Sequence, residues 1–271
     1  MDGQYASLRR ILAEVGDCLV AFSGGVDSTF LLKVAHDVLG DRVTAVTAVS
    51  PSLPRAEREE AEALARLIGA PHLLVESHEI DDPRYVRNDA ERCYFCKAEL
   101  FRVLRSIGRE AGGRTLLYGA IPDDLGDERP GMRAAAEAGA RAPLLEAGLT
   151  KEMIRLLSRR LGLPTWDKPA MACLSSRIPR FTPVTPASLG LVERAEAAAR
   201  ALGYRLVRVR LQGGDARVEL DASGLARCSE PEARARLLEA VRASGFDAVS
   251  IDPLGYRPKG RAPALSPQGA L

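Results

Sequence analysis

Residues 23–28 of the chain, Ser-Gly-Gly-Val-Asp-Ser, have the types and spacing of a loop that binds phosphate groups. They follow an apolar run at 17–22 that predicts a strand, and they precede apolar residues at helical spacing in 28–39. The N–H groups at a helix N-terminus are unpaired and, with the helix dipole, favour an anion. Because the segment has neither Gly-Lys-Ser/Thr nor Gly-x-Gly-x-x-Gly, it is neither a Walker loop nor a dinucleotide-binding turn. The alternative is a glycine turn with a Ser or Asp helix cap.

Three of the five cysteines are placed where they could do chemistry. Cys93 and Cys96 are three residues apart at the start of a helix predicted over 93–107, where the helix dipole would lower the pKa of a thiol. Cys173 lies in an irregular, proline-rich stretch, 164–186, in which a thiol would be accessible. From these residues alone, the Cys-x-x-Cys pair fits a redox pair, half of a zinc site or part of an iron–sulfur site.

Two carboxylates follow a strand predicted at 115–119. Asp123 and Asp124 come shortly after Gly119, which ends that strand. The carboxyl edge of an open parallel sheet is where such folds bind ligands, so one of the two could hold magnesium. The alternative is a pair of solvated loop carboxylates.

Two arginines alternate with valines on a strand predicted at 204–211. Side chains two apart on a strand share a face, so Arg208 and Arg210 could grip a phosphate group together. The alternative is the solvated face of a half-buried sheet.

The elements that would position these residues alternate along the first part of the chain. Strands are predicted at 17–22, 42–49, 72–76 and 115–119, and helices at 28–39, 55–68, 93–107 and 150–161. Such alternation predicts an α/β fold with a parallel sheet and helices on both faces. The last part changes to a small α+β pattern, which predicts two domains, 1–180 and 181–271. The tail after residue 256, with three prolines, is expected to be loose.

The composition is that of a folded protein, with 46% hydrophobic and 27% charged residues. The net charge of +2 and the lack of a Lys/Arg block argue against a nucleic-acid platform, and no run of eighteen apolar residues suggests a membrane span. An odd number of cysteines without an export-signal pattern favours reduced thiols in a cytoplasmic protein. Cys18 and Cys228 are expected to be packing residues.

The motif at 23–28 resembles the PP-loop of ATP pyrophosphatases, a superfamily with an adenine nucleotide alpha hydrolase-like fold. The resemblance implies that ATP is cleaved to AMP and pyrophosphate. It implies pyrophosphate or nucleotide contacts from several residues: Ser23, Gly24, Gly25, Asp27, Ser28, Gly119 and Asp124. Asp27, as a catalytic residue, and Asp123 would place Mg²⁺.

Longer segments resemble the LarE family of ATP-dependent sulfur transferases, which make the nickel-pincer nucleotide cofactor. These segments lie at 123–127, 129–131, 143–150, 166–169, 173–179, 182–185, 207–210 and 255–257. The resemblance implies that ATP adenylates a carboxylate of a pyridinium-dicarboxylate mononucleotide and that sulfur then displaces AMP to give a thiocarboxylate. It implies that substrate phosphate or carboxylate groups contact a set of four residues: Ser176, Arg177, Arg208 and Arg210.

The resemblance to family members with an upstream Cys-x-x-Cys implies a 4Fe-4S cluster on Cys93, Cys96 and Cys173. Three ligands would leave one iron free to carry the sulfur. We favour this version over one in which Cys173 is the catalytic, sacrificial sulfur donor and becomes dehydroalanine. Zinc with His72 or His78 as a fourth ligand, or three unconnected thiols, are further alternatives.

Two rival functions remain open on the sequence alone, a PP-loop enzyme that thiolates tRNA and a non-enzymatic iron–sulfur carrier. The resemblance also implies a homo-oligomer and a sulfur donor such as sulfide or a desulfurase. The chain departs from the family pattern at 120–122, where Ala-Ile-Pro stands, and at 180–181, where Arg-Phe stands. Both segments flank the expected active site, so the substrate could differ.

Overall fold

A computed structural model describes residues 1–125, 130–170 and 172–257, so parts of the predicted motifs at 123–127, 129–131 and most of the predicted loose tail lie outside the described residues. The chain divides into two compact units, Met1–Leu189 and Gly190–Leu271. The domain boundary after residue 180 stays a prediction. No described helix is both long enough and apolar enough to cross a bilayer.

The helices and strands follow one another as predicted in most places. The strands are β1 Cys18–Ala21, β2 Val43–Val49, β3 His72–Glu76, β4 Thr115–Leu117, β5 Val207–Gln212, β6 Asp215–Leu220 and β7 Val249–Ile251. The α-helices are α1 Asp2–Val15, α2 Val26–Leu39, α3 Arg55–Ile68, α4 Pro83–Val86, α5 Arg92–Glu110, α6 Pro130–Glu137, α7 Pro143–Glu146, α8 Lys151–Arg160, α9 Pro186–Ala201, α10 Ala222–Arg227 and α11 Pro231–Arg242.

The first unit is built on a four-stranded, all-parallel sheet in the order β3-β2-β1-β4. Cys18 lies beside Val43 on one side and Thr115 on the other, so the carboxyl ends of the four strands meet at one edge. This confirms the predicted α/β fold with a parallel sheet. Parallel strands need helical crossovers, which explains why helices separate them in sequence.

Each face of this sheet has its own apolar core. Cys18 and Val20 face a cluster that includes residues of α1, α2, α3 and α8, whereas Leu19 faces a cluster with residues of α5 and α6. Alternate residues of β1 thus serve opposite faces, as the pleat of a strand requires. The predicted arrangement of helices on both faces is confirmed.

Local sequence patterns predicted the start of α8 correctly, placed the start of β5 too early and did not predict α1. Thr150 caps α8 as its sequence position suggests, since its Oγ1 accepts the N–H of Met153 at 3.4 Å. The strand predicted from residue 204 instead begins at Val207, because the N–H of Tyr204 still bonds to the Ala199 carbonyl at the end of α9. Helix α1, with Leu8 and Leu12 buried four residues apart, has no counterpart in the predicted elements.

The second unit contains a three-stranded sheet in the order β5-β6-β7, in which β5 and β6 are antiparallel and β6 and β7 are parallel. Its buried residues include Val209 and Leu237. Glu196 on α9 is fully buried, and it accepts the N–H of Val209 at 3.1 Å and a bond from Arg200 at 2.8 Å. This small sheet with its helices agrees with the predicted α+β pattern.

Candidate functional site

The loop at 23–28 connects β1 to the first turn of α2, and Gly25 is the N-cap residue without a capping side chain. Gly24 has φ +66°, and a Cβ there would lie 3.3 Å from Cα of Ala61. The Ser23 and Ser28 hydroxyls lie 3.1 Å apart, and that of Ser28 donates to the Gly25 carbonyl at 3.3 Å. A tight loop therefore leads into a helix N-terminus, as anion binding requires.

Gly119 lies against this loop. A Cβ at residue 119 would lie 3.2 Å from the backbone N of Ser28 and 3.3 Å from the carbonyl carbon of Asp27. A side chain at residue 119 would crowd the backbone at the start of α2, so glycine suits this close approach. The structure thus brings together Gly119, Asp27 and Ser28, three residues of the predicted nucleotide site.

Asp27 and Asp123, the predicted magnesium ligands, both contact Lys151. The Nζ of Lys151 lies 2.7 and 2.8 Å from the two carboxylate oxygens of Asp27, and its backbone N–H donates to Oδ2 of Asp123 at 3.1 Å. Lys151 begins α8 and did not appear among the predicted site residues, although its place after the Thr150 cap was visible in the sequence. Asp27 contacts the side-chain end of Lys151 and Asp123 contacts its backbone, so a shared Mg²⁺ site on the two carboxylates stays a prediction.

A second lysine contacts the loop at 23–28, and the other predicted carboxylate bonds within its own turn. Lys168 is mostly buried, and its Nζ donates to the Gly24 carbonyl at 2.9 Å and pairs with Glu60 at 2.8 Å. Sequence reasoning missed Lys168 as well. Asp124 accepts the N–H of Ile121 at 3.1 Å and so closes its own turn, and its predicted nucleotide contact stays a prediction.

The three predicted cluster cysteines differ in environment. Cys93 and Cys173 are exposed and Cys96 is partly buried. Burial raises the pKa of the Cys96 thiol to about 12, and the negative charges of Glu79, Cys173 and Cys93 act in the same direction. The prediction of a lowered pKa is therefore wrong for Cys96, because desolvation outweighs the helix dipole.

These cysteines influence one another electrostatically but do not form a ready ligand set. Over the described ranges, no group of three or more His, Cys, Asp or Glu side chains is placed to hold a metal ion. The 4Fe-4S cluster stays a prediction. Cys18 and Cys228 are buried, which confirms them as packing residues.

The segment that carries Cys173 is anchored on both sides of the thiol. The N–H of Leu174 donates to the Ser52 carbonyl at 3.0 Å. Arg177 is buried, and it donates to the carbonyls of Ala172 and Cys173, the latter at 2.8 Å, and to the Ser176 hydroxyl at 3.1 Å. The substrate contacts predicted for Ser176 and Arg177 stay predictions.

Residues that the sequence did not single out hold this segment from outside. The Tyr85 hydroxyl lies 2.6 Å from Oγ of Ser175, and Nδ2 of Asn88 donates to the carbonyls of Pro179 and Thr182 at 2.8 and 2.9 Å. Both side chains are buried. Only contacts across the fold identify them, because they lie about ninety residues away in sequence.

The arginines of the second unit have partners within that unit. Arg208 is buried and its guanidinium lies over the Tyr256 ring, 5.5 Å from the ring centre. Arg210 pairs with Glu219 at 2.9 Å. Their predicted role in phosphate binding stays a prediction.

Comparison with known proteins gives two relatives that match this chain over more than nine tenths of their length and one that matches over a smaller part. An uncharacterized protein of Synechocystis is 43% identical over 257 residues, covering 95% of this chain and 96% of that protein. The pyridinium-3,5-bisthiocarboxylic acid mononucleotide synthase of Lactiplantibacillus plantarum is 37% identical, covering 93% and 91%. A glutamine-hydrolyzing GMP synthase of Aeropyrum pernix is 30% identical, covering 69% of this chain and 40% of that protein. No family model matches the sequence.

Proposed function

This chain belongs to the LarE family of ATP-dependent sulfur transferases, and we propose that it converts a carboxylate of a pyridinium-dicarboxylate mononucleotide to a thiocarboxylate. The observation that carries the proposal is the placement of two loops at one edge of the parallel sheet. The phosphate loop follows β1, and Ser52, which anchors the Cys173 segment, follows β2. An ATP-activated carboxylate and a sulfur source would meet at such an edge.

The first half of the reaction is adenylation. A carboxylate oxygen attacks the α-phosphorus of ATP, and the bond to pyrophosphate breaks. In this proposal Ser23, Gly24, Gly25 and Ser28 hold the departing pyrophosphate, and Lys151 and Lys168 supply positive charge next to it. Mg²⁺ held by Asp27 and Asp123 would offset further negative charge.

The second half of the reaction is sulfur transfer. A sulfur nucleophile attacks the activated carbonyl carbon, and the bond to AMP breaks. Our preferred carrier of that sulfur remains a 4Fe-4S cluster on Cys93, Cys96 and Cys173, but we derive no step through it because the cysteines are not arranged as ligands.

In the alternative route, Sγ of Cys173 attacks the carbonyl carbon and forms a thioester as AMP leaves. Loss of the Cα proton then breaks the Cβ–Sγ bond. The products are a thiocarboxylate and dehydroalanine at position 173. The exposed thiol of Cys173 supports this route as well.

The remaining expectations are also proposals. We propose that Ser176, Arg177, Arg208 and Arg210 contact the phosphate or carboxylate groups of the substrate. We further propose that residues 181–271 bind substrate or a second copy of the chain, that sulfide or a desulfurase restores the sulfur, and that the protein works in the cytoplasm.

The test incubates the purified protein with ATP, Mg²⁺ and the pyridinium-dicarboxylate mononucleotide, and measures AMP, pyrophosphate and the mass of the product. Sulfur in place of one carboxylate oxygen, with AMP and pyrophosphate formed in equal amounts, is the expected result. No pyrophosphate with this substrate would refute the proposal. ATP consumption that depends on tRNA would instead favour the rival thiolation enzyme.

The sulfur carrier is tested separately by iron and sulfide content after anaerobic purification. About four irons per chain, lost in Cys93→Ala, are expected for the cluster route. Absence of iron after anaerobic reconstitution, with Cys173 converted to dehydroalanine after turnover, would replace that route by the sacrificial one. Zinc bound in place of iron would make Cys93 and Cys96 structural.

A further inference from the structure

Glu79 is a buried carboxylate at the carboxyl edge of the first sheet, only 3% exposed. It accepts hydrogen bonds from three serine hydroxyls: Ser50 at 2.5 Å, Ser52 at 2.9 Å and Ser77 at 2.5 Å. No ion pair to it is formed within the described part of the chain. Burying an acidic group without a cation is costly, so hydroxyl donors must compensate for the lost water.

The hydroxyls come from the ends of two neighbouring strands. Ser50 and Ser52 follow β2, and Ser77 follows β3. The N–H of Ser52 also donates to Oγ of Ser50 at 3.2 Å. Glu79 therefore ties the two strand ends together and fixes the backbone of the turn at Ser52.

That turn is what holds the residue after Cys173. The Ser52 carbonyl accepts the N–H of Leu174 at 3.0 Å, while the Ser52 hydroxyl donates to Glu79 at 2.9 Å. One serine thus connects the buried carboxylate to the cysteine segment through its side chain and its carbonyl.

We propose that Glu79 is a positioning residue for sulfur transfer: through Ser52 it holds the segment that presents Cys173, and it takes no part in adenylation. The inference rests on the proposed function above. Three hydrogen bonds to the buried carboxylate hold the turn at Ser52, whose carbonyl accepts the N–H of Leu174. The placement of Glu79 is explained if the loop needs a fixed position, since small displacements of reacting groups are costly.

The test compares Glu79→Gln and Ser52→Ala with two controls. Ser77→Ala removes a hydroxyl with the same 7% exposure that donates to the other carboxylate oxygen of Glu79, and Ser77 follows β3, whereas the Leu174 N–H bonds to Ser52 after β2. Glu76→Gln removes an exposed carboxylate at the end of β3. Amide exchange at Leu174 reports the anchor directly, and thiocarboxylate formed per AMP released reports the coupling of the two half-reactions.

We expect Glu79→Gln to release pyrophosphate at nearly the wild-type rate, because adenylation does not need the cysteine segment. Where sulfur no longer reaches the adenylate, water attacks the carbonyl carbon, AMP leaves and the carboxylate is regenerated, so about a hundredfold less thiocarboxylate should form per AMP. Exchange at Leu174 should be faster in Glu79→Gln and Ser52→Ala than in either control. Equal losses of adenylation and transfer, or an unchanged thiocarboxylate yield per AMP, would overturn the inference. If Glu79→Gln does not fold, Ser52→Ala against Ser77→Ala decides the question.

The two proposals fail in different ways. If the wild-type protein releases no pyrophosphate with the mononucleotide, the proposed function fails. The exchange rate at Leu174 still decides whether Glu79 holds the cysteine segment, because that measurement needs no substrate. An exchange rate unchanged in Glu79→Gln overturns the inference whatever the reaction is.

Discussion

Replacing Lys151 by methionine should slow adenylation while leaving the fold intact. The lysine Nζ lies 2.7 Å from the nearer Asp27 oxygen, beside the loop proposed to hold pyrophosphate. With an effective dielectric constant between that of a protein surface and that of water, a charge about 4 Å away contributes about 1 to 4 kcal/mol. The Lys151 side chain is one third exposed, so we take about 3 kcal/mol as the attraction between its charge and one phosphate charge, before any opposing effect.

A second effect opposes this loss. In the free protein Lys151 pairs with Asp27, and this partly exposed pair contributes at most about 1 kcal/mol. Binding of Mg²⁺ at Asp27 must break the pair, so removing the lysine makes that step easier. The lost attraction to phosphate exceeds this gain, and the net loss is about 2 kcal/mol, or a fall of about thirtyfold in kcat/KM for ATP.

Lys33→Met is the matched control. Lys33 pairs with Asp37 at 2.6 Å on α2, with side-chain exposures of 26% and 28%, close to the 33% and 25% of the Lys151 pair. Both variants lose one positive charge and one ion pair, so their unfolding free energies should change alike. The assay is initial pyrophosphate release across ATP concentrations with the mononucleotide present. Rates for Lys151→Met within about threefold of the control would refute the reasoning.

Two further predictions concern the elements around the phosphate loop. Gly24 and Gly162 have φ +66° and +69°, so Gly24→Ala and Gly162→Ala should each lower the unfolding free energy by about 1 kcal/mol. Only Gly24→Ala, whose Cβ meets Ala61, should also weaken nucleotide binding. Equal nucleotide affinity of the two variants in calorimetry would contradict this. Burial lowers the pKa of His72 below 6.5 in the folded protein, so the imidazole binds a proton more tightly in the unfolded chain. The free energy of unfolding should therefore fall as the pH drops below about 6.5. Urea unfolding at several pH values should therefore show a weaker acid loss in His72→Gln than in the wild type or in the exposed-site control His78→Gln, and parallel pH profiles would show that another group is responsible.

The sequence predicted those features that depend on neighbouring residues. The bounds of α3 and β3 agree with the predicted 55–68 and 72–76, because apolar periodicity and turn residues are local signals. The strand–loop–helix context of residues 23–28 is equally local. The same holds for the Thr150 cap, whose acceptor and donor lie three residues apart.

Contacts between residues far apart in the chain could not be predicted from the sequence. Lys151 meets Asp27 across 124 residues, and no local pattern marks such a pair. The prediction of a lowered pKa for the Cys96 thiol was wrong for a related reason. The helix N-terminus is visible in the sequence, whereas the burial that raises the pKa comes from the tertiary fold.

The strand order of the first sheet explains why the two half-reactions should be separable. β1 and β4 are neighbours, and the residues that follow them, the loop at 23–28 and Gly119, form the proposed ATP site. β2 and β3 are also neighbours, and Ser52 and Glu79 follow them to hold the cysteine segment. Adenylation and sulfur delivery therefore depend on different strand pairs of one sheet. A change at Glu79 acts on the second pair, which is why we expect it to spare pyrophosphate release.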